Sequence, residues 1–347
     1  MQQRTRALVA SVFIGLIFLL VQLGALALVQ PFEAAGYQAV EDPSDPTNTL
    51  IYVVAILIAT GLMLLAIKLD VDRLIRGFVV FAGVYLSWYV FSVVVPSVVT
   101  YGGFNVLAVV AALVLGAALL RYPEWYVIDA SGVVMGAGAA GVFGISFGLL
   151  PAILLLSVLA IYDAISVYGT EHMLTLASGV MDLKVPVVLV VPLTLSYSFL
   201  SAETPDPTGE VEGDAAANGG EPEREGESVA DGSAGEDAVE AERMDRDALF
   251  IGLGDAVIPT VLVASAAFFA PSSVPAVGAL GLVIPVTALG AMVGTLLGLV
   301  VLLRMVLEGR AHAGLPLLNG GVIGGYLFGA LLSGIPILEA LGVAGFV

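Results

Sequence analysis

Residues 149–168, LLPAILLLSVLAIYDAISVY, form a run of twenty residues with a single charge, Asp163. A run of this length and apolarity crosses a bilayer as a helix, because a hydrocarbon core of about 30 Å takes about 20 residues rising 1.5 Å each. Working outward, comparable runs fall at Leu8–Val29, Leu50–Ile67, Gly77–Val98, Phe104–Leu120, Tyr126–Phe147, Ala248–Ala270, Val277–Leu303 and Leu315–Ile337. Together they make nine expected spans. The expected fold is an all-α integral membrane protein, since an isolated span must satisfy its backbone internally. Phe147, Gly148 and Pro151 mark the turn between the fifth and sixth spans, as proline suits the first turn of a helix and not its middle.

The composition agrees. The chain has 347 residues, is 59% hydrophobic and has a mean hydropathy of +1.02. Soluble domains run at about 45–50% apolar. The N-terminal MQQRTR is short and basic, and the apolar run behind it is long enough to span, so no secretory signal peptide is needed to explain it. With no cysteine, disulfides, thiolate catalysis and cysteine-type zinc sites are excluded. His172 and His312 fall near span ends and read as polar anchors rather than metal ligands.

The net charge of −18 is concentrated in one place. Residues 203–247 hold 16 acidic side chains and 3 arginines, a net of −13. This loop is rich in Gly, Ala, Glu and Asp, lacks aromatics, and reads as a disordered tether. Its sign argues against a nucleic-acid partner, and with the Ala/Val-rich body it suits a salt-loving source organism. Ahead of it, 183–198 (LKVPVVLVVPLTLSYS) is apolar, β-branched and broken by Pro186 and Pro192, and reads as extended or interfacial chain. Four regions follow: 1–125 with spans one to four, 126–200 with spans five and six and the apolar segment, 201–247 as the acidic loop, and 248–347 with spans seven to nine.

The 12 basic residues set the orientation. Arg4 and Arg6 precede span one, and Lys68, Arg73 and Arg76 follow span two. Arg121 follows span four. Lys184, Arg224, Arg243 and Arg246 follow span six, and Arg304 and Arg310 follow span eight. All of these loops lie on one side. By the positive-inside rule the N-terminus and the acidic loop are cytoplasmic and the C-terminus is outside, in a multi-pass protein of the cell membrane.

A second intramembrane carboxylate, Asp255, lies in 250–257 (FIGLGDAV). Such groups cost about 2.5–3.5 kcal/mol each on insertion scales and mark function. Counting eight residues from each cytoplasmic boundary puts both Asp163 and Asp255 about 12 Å deep, on consecutive antiparallel spans. Two carboxylates at close range share one proton. The ionised member can take a proton from an attacking water, while the protonated one polarises a peptide carbonyl and then protonates the leaving amine. Gly252 and Gly254, flanking Leu253, leave room for another backbone. Tyr162 can shield the pair or donate a hydrogen bond. Gly314 and Pro316, around Leu315, predict irregular backbone beside a wet or protein-lined cavity.

Tyr162-Asp163, Gly252-Leu253-Gly254-Asp255 and Ala313-Gly314-Leu315-Pro316 resemble the Y-D, G-x-G-D and P-A-L-P signatures of the presenilin and signal-peptide-peptidase family. The resemblance extends from Tyr126 onward and includes the span that carries each motif. It implies a presenilin-like fold, in an archaeal homologue, and an intramembrane aspartic endopeptidase with Asp163 and Asp255 as catalytic residues. It also implies that Leu315 and Pro316 shape the site and contact substrate. Ala313 and Gly314 depart from the signature but keep its small size. By the same analogy, Lys184–Pro192 pairs as a strand with an unwound substrate. The implied partners are single-span protein substrates with N-termini outside, and the lipid bilayer. Homo-oligomerisation stays open, and neither metal nor cofactor is called for.

The alternative is a proton- or ion-coupled transporter using the same acids. Asp129, Asp182 and Glu171 read as solvated interfacial acids. Gly136-Ala-Gly138-Ala-Ala-Gly141 spells a dinucleotide fingerprint but sits inside a span, so it reads as helix packing. Gly290, Gly294 and Gly298 read the same way, as do Gly320, Gly321, Gly324 and Gly325.

Overall fold

The computed structural model describes residues 2–69, 71–170, 188–193, 197–199, 248–307 and 313–343. Glu171, His172, Asp182, Lys184, the acidic loop and His312 lie outside the described residues. Among the described residues, nine helices have 16 or more residues: α1 (Gln2–Ala34), α2 (Thr47–Lys68), α3 (Asp72–Val94), α4 (Val106–Arg121), α5 (Trp125–Ser146), α6 (Leu149–Ile165), α7 (Leu253–Phe268), α8 (Val286–Leu307) and α9 (Gly314–Leu332). A short α10 (Ile337–Ala340) follows. Seven helices are long and apolar enough to cross a membrane, while α4 and α7 are shorter apolar helices. Leu, Val, Ile and Phe side chains cover the outer faces of α1–α4, as lipid-facing surfaces require.

The core is built around α5, the most buried of the seven membrane-length helices, against which α1, α3 and α7 pack. Its sequence explains this. Gly138 abuts Val90 and Leu86 of α3, Gly141 abuts Phe32 of α1, and Gly136 abuts Val257 of α7. The fingerprint-like glycines are therefore contact points between helices, not a nucleotide loop. The closest helix pair is α8–α9, where Gly290, Gly294 and Gly298 meet the backbone of Gly325, Gly321 and Leu317 with no room for a Cβ. Gly320 and Gly324 take no part in the close contact, because a Cβ at either would meet nothing within 4 Å.

Among the described residues, three short antiparallel sheets change the expected span boundaries. β1 (Thr100–Tyr101) and β2 (Phe104–Asn105) form a hairpin before α4, and β5 (Ala276–Ala279) and β6 (Leu282–Pro285) form one before α8. Their turns, Gly102-Gly103 and Leu280-Gly281, have positive φ at both positions, which suits a two-residue hairpin. Span eight thus begins at Val286 rather than Val277. β3 (Val188–Pro192) pairs with β4 (Ala248–Gly252), in the register Val188↔Gly252 through Pro192↔Ala248. The apolar segment after span six is extended as its β-branched content implies. Residues 248–252, read from sequence as helix, are strand, because pairing with β3 satisfies their backbone.

Candidate active site

Asp163 lies in the last turn of α6, which continues into a π-helical turn at Ser166–Thr170. Its side chain is buried, and its Oδ2 accepts a 3.0 Å hydrogen bond from the Leu315 N–H. That donor is one of the first N–H groups of α9, which have no partner within their own helix. The π-helical turn carries Tyr168, whose hydroxyl accepts a 3.3 Å bond from the Ala313 N–H. Two consecutive contacts therefore join the end of α6 to the start of α9. A third comes from Asn319, whose Nδ2 donates to the Leu156 carbonyl at 2.9 Å.

Asp255 is the third residue of α7, not a residue eight positions inside a helix. The strand before it replaces the expected helical lead-in, so the equal-depth count no longer applies. What brings Asp255 to the site is the strand-to-helix junction at Gly252–Leu253. Gly252 ends β4 and is exposed, as is Gly254, and a side chain at Gly252 would lie against the Asp255 carboxylate. Leu253 turns inward and packs against Gly132 and Gly136 of α5. This anchors the first turn of α7 and leaves Asp255 half-buried on its other side.

The two carboxylates meet at one element. Gly314 sits against Asp255, where an added Cβ would lie 3.4 Å from Oδ2, and the next residue, Leu315, hydrogen-bonds Asp163. Ala313–Pro316 is not irregular backbone as expected. Ala313 is an extended N-cap, α9 starts at Gly314, and Pro316 occupies the first turn, where its missing N–H costs nothing.

Tyr162 is half-buried and makes no hydrogen bond through its hydroxyl among the described residues. The tyrosine that joins the network is Tyr168, five residues beyond Asp163. Sequence reasoning missed it because only the π turn gives it this position. A cleft of about 280 Å³ between α6 and α9 is lined by Ala160, Ile161, Ala164, Pro316, Asn319 and Gly320, among others. A groove of about 640 Å³ along α8 and α9 is lined by apolar residues and glycines and carries no titratable side chain.

Asp129 corrects another expectation. It is buried within α5 rather than solvated at the interface, and its Oδ1 accepts from the Val190 N–H of β3 at 2.8 Å.

A family model described as signal-peptide peptidase, presenilin aspartyl protease matches residues 15–335. The match therefore takes in most of α1 and all of α2–α4, which the three motifs alone leave out. A presenilin family intramembrane aspartate protease solved in space group C222 is 31% identical, with 93% of this chain and 99% of that chain covered and a TM-score of 0.59. One solved in space group P2 is 30% identical, covering 92% and 96%, with a TM-score of 0.56. No curated protein matches. Matched over most of its length, this integral multi-pass membrane chain belongs to the signal-peptide peptidase and presenilin family of intramembrane aspartyl proteases, which are hydrolases.

Proposed function

We propose that Asp163 and Asp255 are the catalytic dyad of an aspartic endopeptidase that cuts peptide bonds within transmembrane segments. The observation that carries this reading is the start of α9. A side chain at Gly314 would lie against Asp255 and Leu315 donates to Asp163, so both carboxylates border one turn of backbone, which supports a shared site.

The chemistry needs no other group. The pair shares one proton. The ionised carboxylate takes a proton from water as the water oxygen bonds to the scissile carbonyl carbon. The protonated carboxylic acid donates to the carbonyl oxygen, giving a tetrahedral diol. The C–N bond then breaks as the nitrogen receives the proton of the dyad's acid and one diol hydroxyl gives its proton to the other carboxylate, so the new carboxyl end and the amine leave and the dyad again holds one proton.

The remaining site residues have supporting roles in this reading. Gly252 and Gly254 keep the approach to Asp255 free of side chains, and Leu253 anchors it. Gly314, Leu315 and Pro316 form the wall opposite, and Tyr162 borders Asp163. A substrate reaches the dyad as extended chain and adds to the β3–β4 sheet. The one-sided distribution of basic loops supports a cytoplasmic N-terminus and acidic loop, an external C-terminus, and substrates whose N-termini are outside.

The test uses the purified chain in liposomes with a single-span substrate and a pH-sensitive dye inside. Proteolysis gives two complementary peptides and no more proton flux than empty vesicles show. Flux without peptides would establish the transporter reading in its place.

A further inference from the structure

We propose that Glu124 and Asp129 of α5 are positioning residues that clasp β3 and the chain behind it. In this role they fix where a substrate strand sits relative to Asp255. The inference rests on the proteolytic reading of the dyad.

Both acids are buried, at 6% and 5% exposure, and both bind the same neighbouring segment. Asp129 Oδ1 accepts from the Val190 N–H at 2.8 Å. Glu124 is the N-cap residue of α5, yet its side chain caps none of that helix's own N–H groups. Its Oε1 accepts from the Ser198 hydroxyl at 2.7 Å and its Oε2 from the Phe199 N–H at 3.0 Å. Between the two acids, Ile128 packs in a cluster with Leu119, Val190, Phe199 and Ala248. Gly132, one turn on from Ile128, receives the Leu189 side chain. Asp129 therefore holds β3 of the β3–β4 sheet against α5, and Glu124 holds residues 198–199 beside it, around an apolar contact.

Packing alone does not account for acids here. Burying a carboxylate is unfavourable unless its oxygens are satisfied, and Asp129 Oδ2 has no hydrogen-bond partner among the described residues. An apolar residue of similar size would fill the space but would leave the Val190 N–H without its acceptor. What an apolar residue cannot do is accept from the outer edge of a strand.

That edge matters. N–H groups alternate in direction along a strand, so the Val190 N–H that reaches α5 points away from β4. Val190↔Phe250 is then a pair without mutual hydrogen bonds, and so are Val188↔Gly252 and Pro192↔Ala248, two residues to either side. Pro192, lacking an N–H, sits at a position where the ladder needs none. Asp129 thus occupies the outer edge of β3, and among the described residues no further strand pairs with the outer edge of β4. The peptide groups facing outward there are those of Ala248, Phe250 and Gly252. The last of these is three residues from Asp255. A shift of the β3–β4 sheet along α5 would move this edge relative to the dyad, and with it the bond that is cut.

The experiment measures product masses from a single-span substrate and amide exchange of the enzyme in detergent, for the parent and for Asp129→Ala, Asp129→Asn and Glu124→Ala. Asp129→Ala should speed exchange across 188–192 about tenfold, as loss of one hydrogen bond implies. It should also spread cleavage over neighbouring bonds, with exchange in α8 and α9 unchanged. Glu124→Ala should act in the same direction. Asp129→Asn keeps the acceptor and should restore the parental product ratio. A lower yield at an unchanged product ratio would overturn the proposal, because that is what partial unfolding gives. So would parental exchange across 188–192 in Asp129→Ala, or Asp129→Asn matching Asp129→Ala. If the parent makes no product, the dyad reading fails, and the exchange comparison still decides the clasp.

Discussion

Leu315 reaches Asp163 through its backbone, so the bond depends on an N–H and not on a leucine side chain. Leu315→Pro removes that donor at a helix position where proline is tolerated. Hydrogen bonds to charged groups are worth about 1.5–3 kcal/mol, so cleavage should fall by about 10–150-fold while the protein stays folded, checked by product formation against thermal unfolding. Gly314→Ala is the matching control. Its methyl would lie 3.4 Å from Asp255 Oδ2 and from Leu302 Cδ2, an ordinary contact, and activity should stay within about threefold of the parent. The absence of the family's alanine at Gly314 is then sterically neutral. Both Asp163 and Asp255 were legible in the sequence as charges that apolar segments cannot carry idly. Tyr168 and Asp129 were not. One is exposed on a π turn that no local pattern announces, and the other looked like any acid near a span end.

At the scale of elements, the α8–α9 contact sets where Gly314 and Leu315 sit. Gly294 meets the Gly321 carbonyl, with Gly325 beside it, and backbone cannot yield as a side chain can. Gly294→Val should cost about 1–3 kcal/mol by overpacking and lower activity with it, since α9 carries one wall of the site. Gly324→Ala, on the open face of the same helix, should instead stabilise by about 0.5–1 kcal/mol. Thermal unfolding in detergent reads both. The helices themselves were readable from apolar length because each satisfies its own backbone. The strands at 248–252 and 276–285 were not, since an apolar run that leads into a helix looks like part of it. Only the partner strand, distant in sequence for β4, decides otherwise. The depth argument for Asp255 failed for that reason, and the junction at Gly252–Leu253 took its place.

At the scale of the whole molecule, charge and fold together imply an orientation. The chain has no cysteine, so single substitutions give clean labelling sites. Gly278→Cys, in the exposed hairpin between α7 and α8, should react with an impermeant maleimide applied outside intact cells. Ser228→Cys, in the acidic loop, should react only after the membrane is opened. The reverse pattern would invert the topology and with it the expected polarity of substrates. The family match over residues 15–335 and the agreement with two solved structures place the fold beyond what three short motifs could carry.

The central claim is that Asp163 and Asp255 act as one catalytic unit, and cleavage of a single-span substrate by purified Asp163→Asn, Asp255→Asn and the double variant tests it most directly. Groups that act together lose together, so each single variant should lose as much activity as the double, down to the level of substrate without enzyme. Cleavage at the parental rate by either single variant would contradict the account.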